Sequence, residues 1–205
     1  MRKLLLTGFE PFGGEKVNPS WEIARSLDGA EIGDVKVAAA RLPVVWGRAN
    51  EALIELIVRE SPDLIVSLGQ SGREDICVER VGINVSDAAA ADNAGTLLTD
   101  APIDSDGPVA YWSTLPIKAM AAAIRAAGVP AHVSNSAGTY LCNHVMYGAL
   151  HQLAKAGRCI PCGLIHVPGL PEQAALKNRP EASMGLETQI RGIRAALEAC
   201  GTVSK

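Results

Sequence analysis

The chain has 205 residues, of which 48% are apolar and 20% are charged, and its net charge is −3. This composition is that of an ordinary soluble globular protein, and the length fits one α/β domain over residues 1–205 better than two domains. The weak negative charge gives no electrostatic reason to expect binding to nucleic acid or to an anionic membrane.

The first part of the chain alternates apolar runs with amphipathic stretches. Asn18-Pro19 is typical of a helix start, with asparagine as the cap and proline in the first turn. Pro62 lies where the second helix must end. The predicted elements are a strand at Lys3–Thr7, a helix from Pro19 to about Ser26, a strand at Val35–Leu42, a helix at Arg48–Glu60, and strands at Leu64–Leu68 and Ile76–Val85.

The second part begins with a long segment, Ser86–Ser113, that is rich in alanine, aspartate, glycine and proline. A connection of this length in a compact domain is usually a functional cover or a mobile segment. Glycines then mark helix ends. The predicted elements are a helix at Pro116–Ala127, a strand at Ala131–Ser134, a helix from about Cys142 to Gly157, a strand at Gly163–Val167 and a helix at about Ser183–Ala199.

Strands that alternate with helices predict a three-layer α/β/α sandwich around a mostly parallel, twisted sheet. In such folds ligands bind beyond the carboxyl ends of the strands. We therefore predict a site where the polar and glycine-rich loops at those ends meet: Gly8–Gly14, Gly69–Gly72, Asn135–Leu141 and the region after His166.

Cys142 stands in the first turn of a predicted helix. Free backbone N–H groups and the helix dipole stabilise negative charge there, which favours a nucleophilic thiolate. The alternative is that Cys142 is a small buried core residue, as most free cysteines are. The helix start alone does not decide between the two.

A cysteine nucleophile needs a base, and four histidines are candidates. His144 and His151 lie on the helix of Cys142, and His132 opens a strand at the opposite end of the sheet. His166 ends a strand that we expect to neighbour the strand preceding Cys142. The alternative is that His166 is a core histidine with its polar atoms satisfied.

The base needs an orienting group, and Glu79 is the candidate. If Ile76–Val85 is one strand, alternate residues share a face, so Glu79 and Arg80 each enter an apolar layer. Buried charges must be paired or hydrogen-bonded. Glu79 either holds a histidine in one tautomer or forms an ion pair with Arg80.

Other motifs argue against metal and cofactor chemistry. Cys159 and Cys162 form a C-x-x-C that follows a helix and has no second ligand pair, and the Gly8–Gly14 loop lacks the ending of a phosphate loop. The apolar run at Met1–Leu6 ends too early for a signal peptide, and no stretch approaches the roughly 20 apolar residues of a membrane span. Five cysteines without framework spacing indicate reduced thiols. We therefore predict a cytoplasmic protein without a metal or cofactor.

Four groups of residues form distinctive blocks: Thr7–Gly14 with Asn18–Trp21, Gly69–Arg73 with Glu79–Val81, Ser134–Asn143, and His166–Pro168. In this order, and over nearly the whole chain, these blocks resemble pyroglutamyl peptidase type I (pyrrolidone-carboxylate peptidase). The resemblance implies an α/β/α fold, a cytosolic and metal-independent enzyme, often tetrameric, and a triad of Cys142 as nucleophile, His166 as base and Glu79 as orienting group.

The resemblance also implies a substrate and a pocket. The enzyme would be a cysteine exopeptidase that removes an amino-terminal pyroglutamyl residue from peptides through a thioester acyl-enzyme. Two aromatic rings would sandwich the lactam ring, two amide side chains would make polar contacts, and two further residues would form a wall beside the nucleophile. These three pairs are Phe9 and Phe12, Asn18 and Gln70, and Tyr140 and Leu141.

The chain departs from the family's pattern in one block. Where the family usually carries Ala-Arg-Ile-Pro-Asp-Asn, residues 88–93 read Ala-Ala-Ala-Ala-Asp-Asn, so Ala89 replaces the arginine and Ala90 the isoleucine. One alternative function is therefore a related cysteine amidase whose pocket, widened at Ala89–Ala91, accepts another acyl group. The other is a non-catalytic binding protein of the same fold.

Overall fold

In the computed structural model, which describes residues 1–179 and 181–201, strands alternate with helices along the chain. Pro180 and residues 202–205 of the predicted domain lie outside the described residues. The elements are β1 (Arg2–Phe9), α1 (Pro19–Ser26), β2 (Glu31–Ile32), β3 (Val35–Leu42), α2 (Arg48–Glu60), β4 (Leu64–Ser71), β5 (Ile76–Glu79), β6 (Val81–Ile83), β7 (Ala110–Trp112), α3 (Ile117–Ala126), β8 (Ala131–Ser134), α4 (Leu141–Lys155), β9 (Cys162–Pro168), α5 (Pro171–Ala174) and α6 (Leu186–Gly201).

The centre of the fold is a seven-stranded sheet in the order β2-β3-β1-β4-β9-β5-β8. Strands β3, β1, β4 and β9 are parallel to one another, β2 is antiparallel to β3, and β5 is antiparallel to β9. Helices α1, α3 and α6 pack on one face, and α2 and α4 pack on the other. The predicted three-layer sandwich with a mostly parallel sheet is confirmed.

Alternation along β1 explains why the sheet is covered on both faces. Leu4 and Leu6 belong to the core layer under α1 and α6, whereas Leu5 and Phe9 belong to the layer under α2 and α4. Burying each leucine stabilises the fold by roughly 1.5–3 kcal/mol. A strand that is apolar on both sides is stable only between two layers of helices.

The predicted strand over residues 76–85 is two strands in different sheets. β5 joins the main sheet, whereas β6 pairs with β7 in a separate two-stranded sheet. The chain leaves the main sheet at Arg80, whose N–H still bonds Ser134 O and whose carbonyl accepts from Ser113 N. The alternation of faces within one strand therefore applies up to Glu79 and not to Arg80.

The expected neighbour of the His166 strand was also wrong, because β5 lies between β9 and β8. Only residues 72–75 separate β4 from β5. A parallel connection needs a crossover of a dozen or more residues, so the chain returns antiparallel, beside β9. Because β8 is parallel to β5, it also runs opposite to β9.

The segment after β6 is less irregular than predicted, since it contains β7 and is tied to the body of the protein. The Asn84 side chain accepts from the N–H groups of Ile103 and Asp104 and donates to Asp104 O. Tyr147 of α4, which is fully buried, donates its hydroxyl to Pro108 O at 2.7 Å. These bonds hold the segment against α4.

Besides β7, two short elements, β2 and α5, have no counterpart among the predicted elements. Their two and four residues are too few to carry a recognisable periodicity. Among the described residues, the helices are too short or too polar for any of them to cross a bilayer.

We expect Tyr147→Phe to loosen the segment around Pro108, because the substitution removes the hydroxyl that donates a hydrogen bond to Pro108 O. The free energy of unfolding should fall by about 1–2 kcal/mol, and limited proteolysis should cut faster within residues 95–109. Leu97→Ala, at a side chain in the same segment that is 55% exposed, is the control and should change neither quantity. Equal behaviour of the two variants would show that Tyr147 does not anchor the segment.

Candidate active site

Cys142 is the second residue of α4, is half-buried, and lies against Gly69 of the central strand β4. The cap position, Tyr140, has an extended backbone and makes no side-chain capping bond. The first N–H groups of α4 are therefore available to a negatively charged group beside Cys142. The apolar body of the helix, including Val145 and Met146, is buried against α2 and the sheet.

Gly69 on β4 brings Cys142 and His166 to one point. Gly69 and His166 are neighbours in the register of β4 and β9. A Cβ placed on Gly69 would lie 2.5 Å from Cys142 Sγ and 3.3 Å from His166 Nε2. The missing side chain therefore makes the space in which thiol and imidazole meet.

Glu79 lies behind the imidazole and is fully buried. Its Oε1 is 2.8 Å from His166 Nδ1. The antiparallel register pairs Cys77 with His166, which puts Glu79, two residues further along β5, on the same face of the sheet. Nδ1 is thus held by the carboxylate, and Nε2 faces Cys142.

The charges around His166 favour its protonated form. Burial lowers the pKa of His166, but the sulfur of Cys142 and the carboxylate of Glu79 outweigh burial and raise that pKa to about 9. The imidazolium is therefore present at neutral pH and is lost as the pH rises through about 9. Below that pH, a thiolate at Cys142 faces a positively charged partner.

Arg73 also belongs to this site, although no pattern in the sequence predicts a role for it. Its guanidinium lies 3.3 Å from Glu79 Oε1, donates to Ser134 Oγ at 2.7 Å and donates to Ser136 O at 2.9 Å. It neutralises the buried carboxylate and ties the loop after β4 to the loop after β8. The expected alternative, an ion pair between Glu79 and Arg80, is wrong, because Arg80 bonds Asn135 instead.

The other histidines have different partners. His132 bonds Asp75 at 2.6 Å, and His151 bonds the Tyr111 hydroxyl at 2.8 Å. His144 contacts Ser86 Oγ at 2.9 Å, and burial lowers its pKa to about 4, so it is neutral. Among the described residues, only His166 lies beside Cys142.

The remaining cysteines do not resemble Cys142. Burial raises the pKa of Cys77 to about 11 and that of Cys162 and Cys200 to about 12, so all three are protonated at neutral pH. Cys159 is exposed. Neither member of the C-x-x-C pair belongs to the site.

A small cavity opens beside the thiol and collects the six residues predicted to bind substrate. Its lining consists of Phe9, Phe12, Asn18, Val44, Gln70, Tyr140, Leu141 and Cys142. Within the described structure, Gln70 Oε1 is buried and accepts no hydrogen bond. An unpaired buried acceptor is costly, so the cavity suits a ligand that carries an N–H donor at this point.

Asn18 serves the helix and the cavity together. Its Oδ1 accepts from both the N–H and the hydroxyl of Ser20, and its Nδ2 donates to Glu10 O at 3.0 Å. This confirms the predicted cap of α1. Among the described residues one amide hydrogen of Asn18 has no acceptor, so it is available to a ligand.

A second, wider opening exposes the same thiol. Residues 87–91 form one side of it, with Ala89, Ala90 and Ala91 exposed, and Cys142 and His166 form its floor. Asp92 accepts from Trp46 N and Asn93 donates to Pro11 O, which holds this segment in place although its side chains are small.

The chain is similar to known peptidases over nearly its whole length. The model of a family described as pyroglutamyl peptidase matches residues 2–202. A pyrrolidone-carboxylate peptidase of Cupriavidus pinatubonensis is 54% identical over 199 residues, which are 96% of this chain and 92% of the relative. One of Bacillus mycoides is 47% identical over 200 residues, 97% of this chain and 92% of the relative.

Solved structures share the fold over the same length. The crystal structure of Bacillus amyloliquefaciens pyroglutamyl peptidase I has a TM-score of 0.95 at 39% identity, covering 99% of this chain and 98% of that one. A mutant pyrrolidone carboxyl peptidase of Pyrococcus furiosus has a TM-score of 0.93 at 44% identity, covering 97% of each chain.

We expect Gly69→Ala to separate Cys142 from His166, because the new methyl group would occupy the space between them. The rate at which iodoacetamide alkylates Cys142 near pH 7 should fall roughly tenfold or more, since the thiolate loses its cationic partner. Gly72→Ala is the matched control, because a Cβ there meets nothing within 4 Å. Unchanged alkylation in a folded Gly69→Ala protein would contradict this account.

Proposed function

We propose that Cys142, His166 and Glu79 are the catalytic residues of this chain. The chain belongs to the pyroglutamyl peptidase family and removes amino-terminal pyroglutamyl residues from peptides. The observation that carries this assignment is the succession of contacts from Glu79 through His166 to Cys142. Glu79 Oε1 lies 2.8 Å from one imidazole nitrogen, and Gly69 leaves room for the Cys142 sulfur at the other. The chain is a hydrolase, so we do not retain the non-catalytic alternative.

In the proposed mechanism, the Cys142 thiolate attacks the carbonyl carbon of the amide bond that joins the pyroglutamyl residue to the rest of the peptide. Backbone N–H groups of the first turn of α4 stabilise the oxyanion. The His166 imidazolium gives its Nε2 proton to the leaving amine, which departs as the shortened peptide and leaves a thioester. Neutral His166 then takes a proton from water, and the resulting hydroxide releases pyroglutamate and restores the thiolate.

Glu79 has two tasks in this scheme. It accepts a hydrogen bond from Nδ1, which leaves Nε2 directed at Cys142, and its charge stabilises the imidazolium. Arg73 contacts Glu79 and not the Cys142 thiol, so it acts as a positioning residue for the Glu79 carboxylate.

The cavity beside Cys142 is the proposed pyroglutamyl pocket. Phe9 and Phe12 contact the faces of the lactam ring, with Tyr140 and Leu141 as the wall next to the nucleophile. Gln70 Oε1 accepts the lactam N–H, and the free amide hydrogen of Asn18 donates to the ring carbonyl. The unpaired Gln70 acceptor supports this orientation.

The wider opening along residues 87–91 supports a second candidate. It would let a cysteine amidase of the same family accept acyl groups larger than pyroglutamate, because alanines stand where larger side chains would close the site. Comparing kcat/KM for pyroglutamyl, prolyl and glutaminyl amides distinguishes the pyroglutamyl peptidase from the broader amidase.

We also propose that residues 1–205 act as one peptidase domain in the cytoplasm, as a homotetramer or homodimer. The free state of all five cysteines supports a reducing compartment. The exposed apolar side chains of Val109 and Trp112, 86% and 69% exposed, support a contact between copies. The partners are peptides with an amino-terminal pyroglutamate, and the proposed reaction uses no cofactor.

Glu79→Gln should lower kcat by roughly 100-fold or more while changing KM little, because the charge acts on the imidazolium rather than on bound substrate. It should also move the alkaline limb of the pH profile. In the native protein kcat/KM should decline with a midpoint near pH 9, where His166 loses its proton. Without the carboxylate this midpoint should fall.

The control is Arg73→Gln, which disturbs the ion pair but keeps the carboxylate. It should retain more activity than Glu79→Gln. If Glu79→Gln leaves both kcat and the alkaline midpoint unchanged, then Glu79 is only the structural partner of Arg73.

L-Pyroglutamyl amides should be cleaved efficiently, and prolyl and glutaminyl amides hardly at all. A prolyl group keeps the five-membered ring but lacks the ring carbonyl and carries a charged amine, which an aromatic pocket cannot pair. Loss of a built hydrogen bond can discriminate by roughly 10⁴-fold, whereas a missing methylene gives about 10–200-fold.

The measurement is kcat/KM for the three fluorogenic amides, with Cys142→Ala prepared in parallel to exclude a contaminating peptidase. A prolyl value within about tenfold of the pyroglutamyl value would contradict the pocket and favour the broader amidase.

A further inference from the structure

A second cluster of reactive side chains lies on β5 and β8, outside the proposed catalytic residues. It consists of Asp75, Cys77 and His132, and in the described part of the chain it is the one group of three such donors whose ligand atoms all lie within 4.8 Å of one another. The catalytic scheme uses none of these residues.

The sheet holds two of the three donors in place. Cys77 and His132 are directly paired in the parallel register of β5 and β8, so their side chains leave the same face side by side. Asp75 immediately precedes β5 and reaches both: its Oδ1 is 3.4 Å from Cys77 Sγ and its Oδ2 is 2.6 Å from His132 Nδ1. The distance from Cys77 Sγ to His132 Nδ1 is 3.9 Å.

From this geometry we propose that Asp75, Cys77 and His132 form a site for a divalent transition-metal ion, with Zn²⁺ as the expected occupant. Thiolate, imidazole and carboxylate are the ligands that Zn²⁺ takes in proteins. The ion would have no part in the proposed cleavage of the peptide bond.

The distances approach those of a zinc site. Zinc bonds of about 2.3 Å to sulfur and 2.0–2.1 Å to nitrogen and oxygen require about 3.5 Å between sulfur and each other donor, and about 3.3 Å between nitrogen and oxygen. Cys77 Sγ is 3.9 Å from His132 Nδ1 and 3.4 Å from Asp75 Oδ1, and both separations lie within about half an ångström of these values. His132 is bonded by the other carboxylate oxygen, Oδ2, so the carboxylate must turn away from Nδ1 when a metal replaces the shared proton.

Burial and exposure also suit such a site. Cys77 is fully buried and therefore fixed, whereas the His132 side chain is 51% exposed, which leaves room for an entering ion and a water as fourth ligand. The Arg73 guanidinium is the nearby positive charge that opposes binding, since it contacts Cys77. Arg73 can keep its bonds to Ser134 and Ser136 without that contact.

The test uses Cys142→Ala/Cys159→Ser protein, so that neither the nucleophile nor the exposed cysteine binds metal. Titration with Co²⁺ should produce a thiolate-to-cobalt charge-transfer band that saturates at one ion per chain, and Zn²⁺ should displace it. Adding Cys77→Ser should abolish the band. Adding His132→Ala or Asp75→Asn should weaken Co²⁺ binding at least tenfold.

Two controls match these variants. Glu74→Gln removes the same charge as Asp75→Asn from the neighbouring exposed residue, and Cys200→Ala removes a buried thiol elsewhere; neither should alter the band. The proposal is overturned if no band forms up to about 1 mM Co²⁺, or if the band survives Cys77→Ser or is unaffected by both His132→Ala and Asp75→Asn. Because the readout is a spectrum, failure of this site leaves the proposed peptidase chemistry untouched.

Discussion

A fully buried carboxylate, that of Glu79, is the constraint on which the site depends. A charge at this depth costs several kcal/mol unless it is paired. Its partners, Arg73 and His166, come from the loop after β4 and from β9, so pairing the charge fixes three segments relative to one another. The same contacts that stabilise the carboxylate orient the imidazole, and structure and chemistry are therefore inseparable at this point.

The sheet topology makes this pairing possible. A short connection after β4 forces β5 to run antiparallel beside β9, which places Glu79 on the face of His166. The loop after β8 then reaches the same place through Arg73, although β8 runs opposite to the parallel strands. Asn143, in the first turn of α4, bonds the backbone of Ile83 and Val85. It thereby holds the end of β6 and the start of the following segment against the helix that carries Cys142.

Several residues of the site also carry structural roles, which limits how the site can vary. Asn18 caps α1 and lines the cavity, and Gly69 is both a strand residue and the space for the thiol. Ala89, Ala90 and Ala91 have no such structural role, because Asp92 and Asn93 hold that segment and leave these three side chains exposed. Change is therefore tolerated at the opening more readily than at the pocket floor.

The features that could be predicted from the sequence are those that depend on neighbours along the chain. The apolar run of residues 64–68, the cap at Asn18-Pro19 and the helix start at Cys142 are local patterns, and the motif resemblance pointed to the residues that meet at the site. The tertiary structure decided the break at Arg80, the position of β5 beside β9, and Arg73 as the partner of Glu79. These depend on which distant segments pack together, because strand order and ion pairing are set by contacts between residues far apart in the chain, and no local periodicity encodes them.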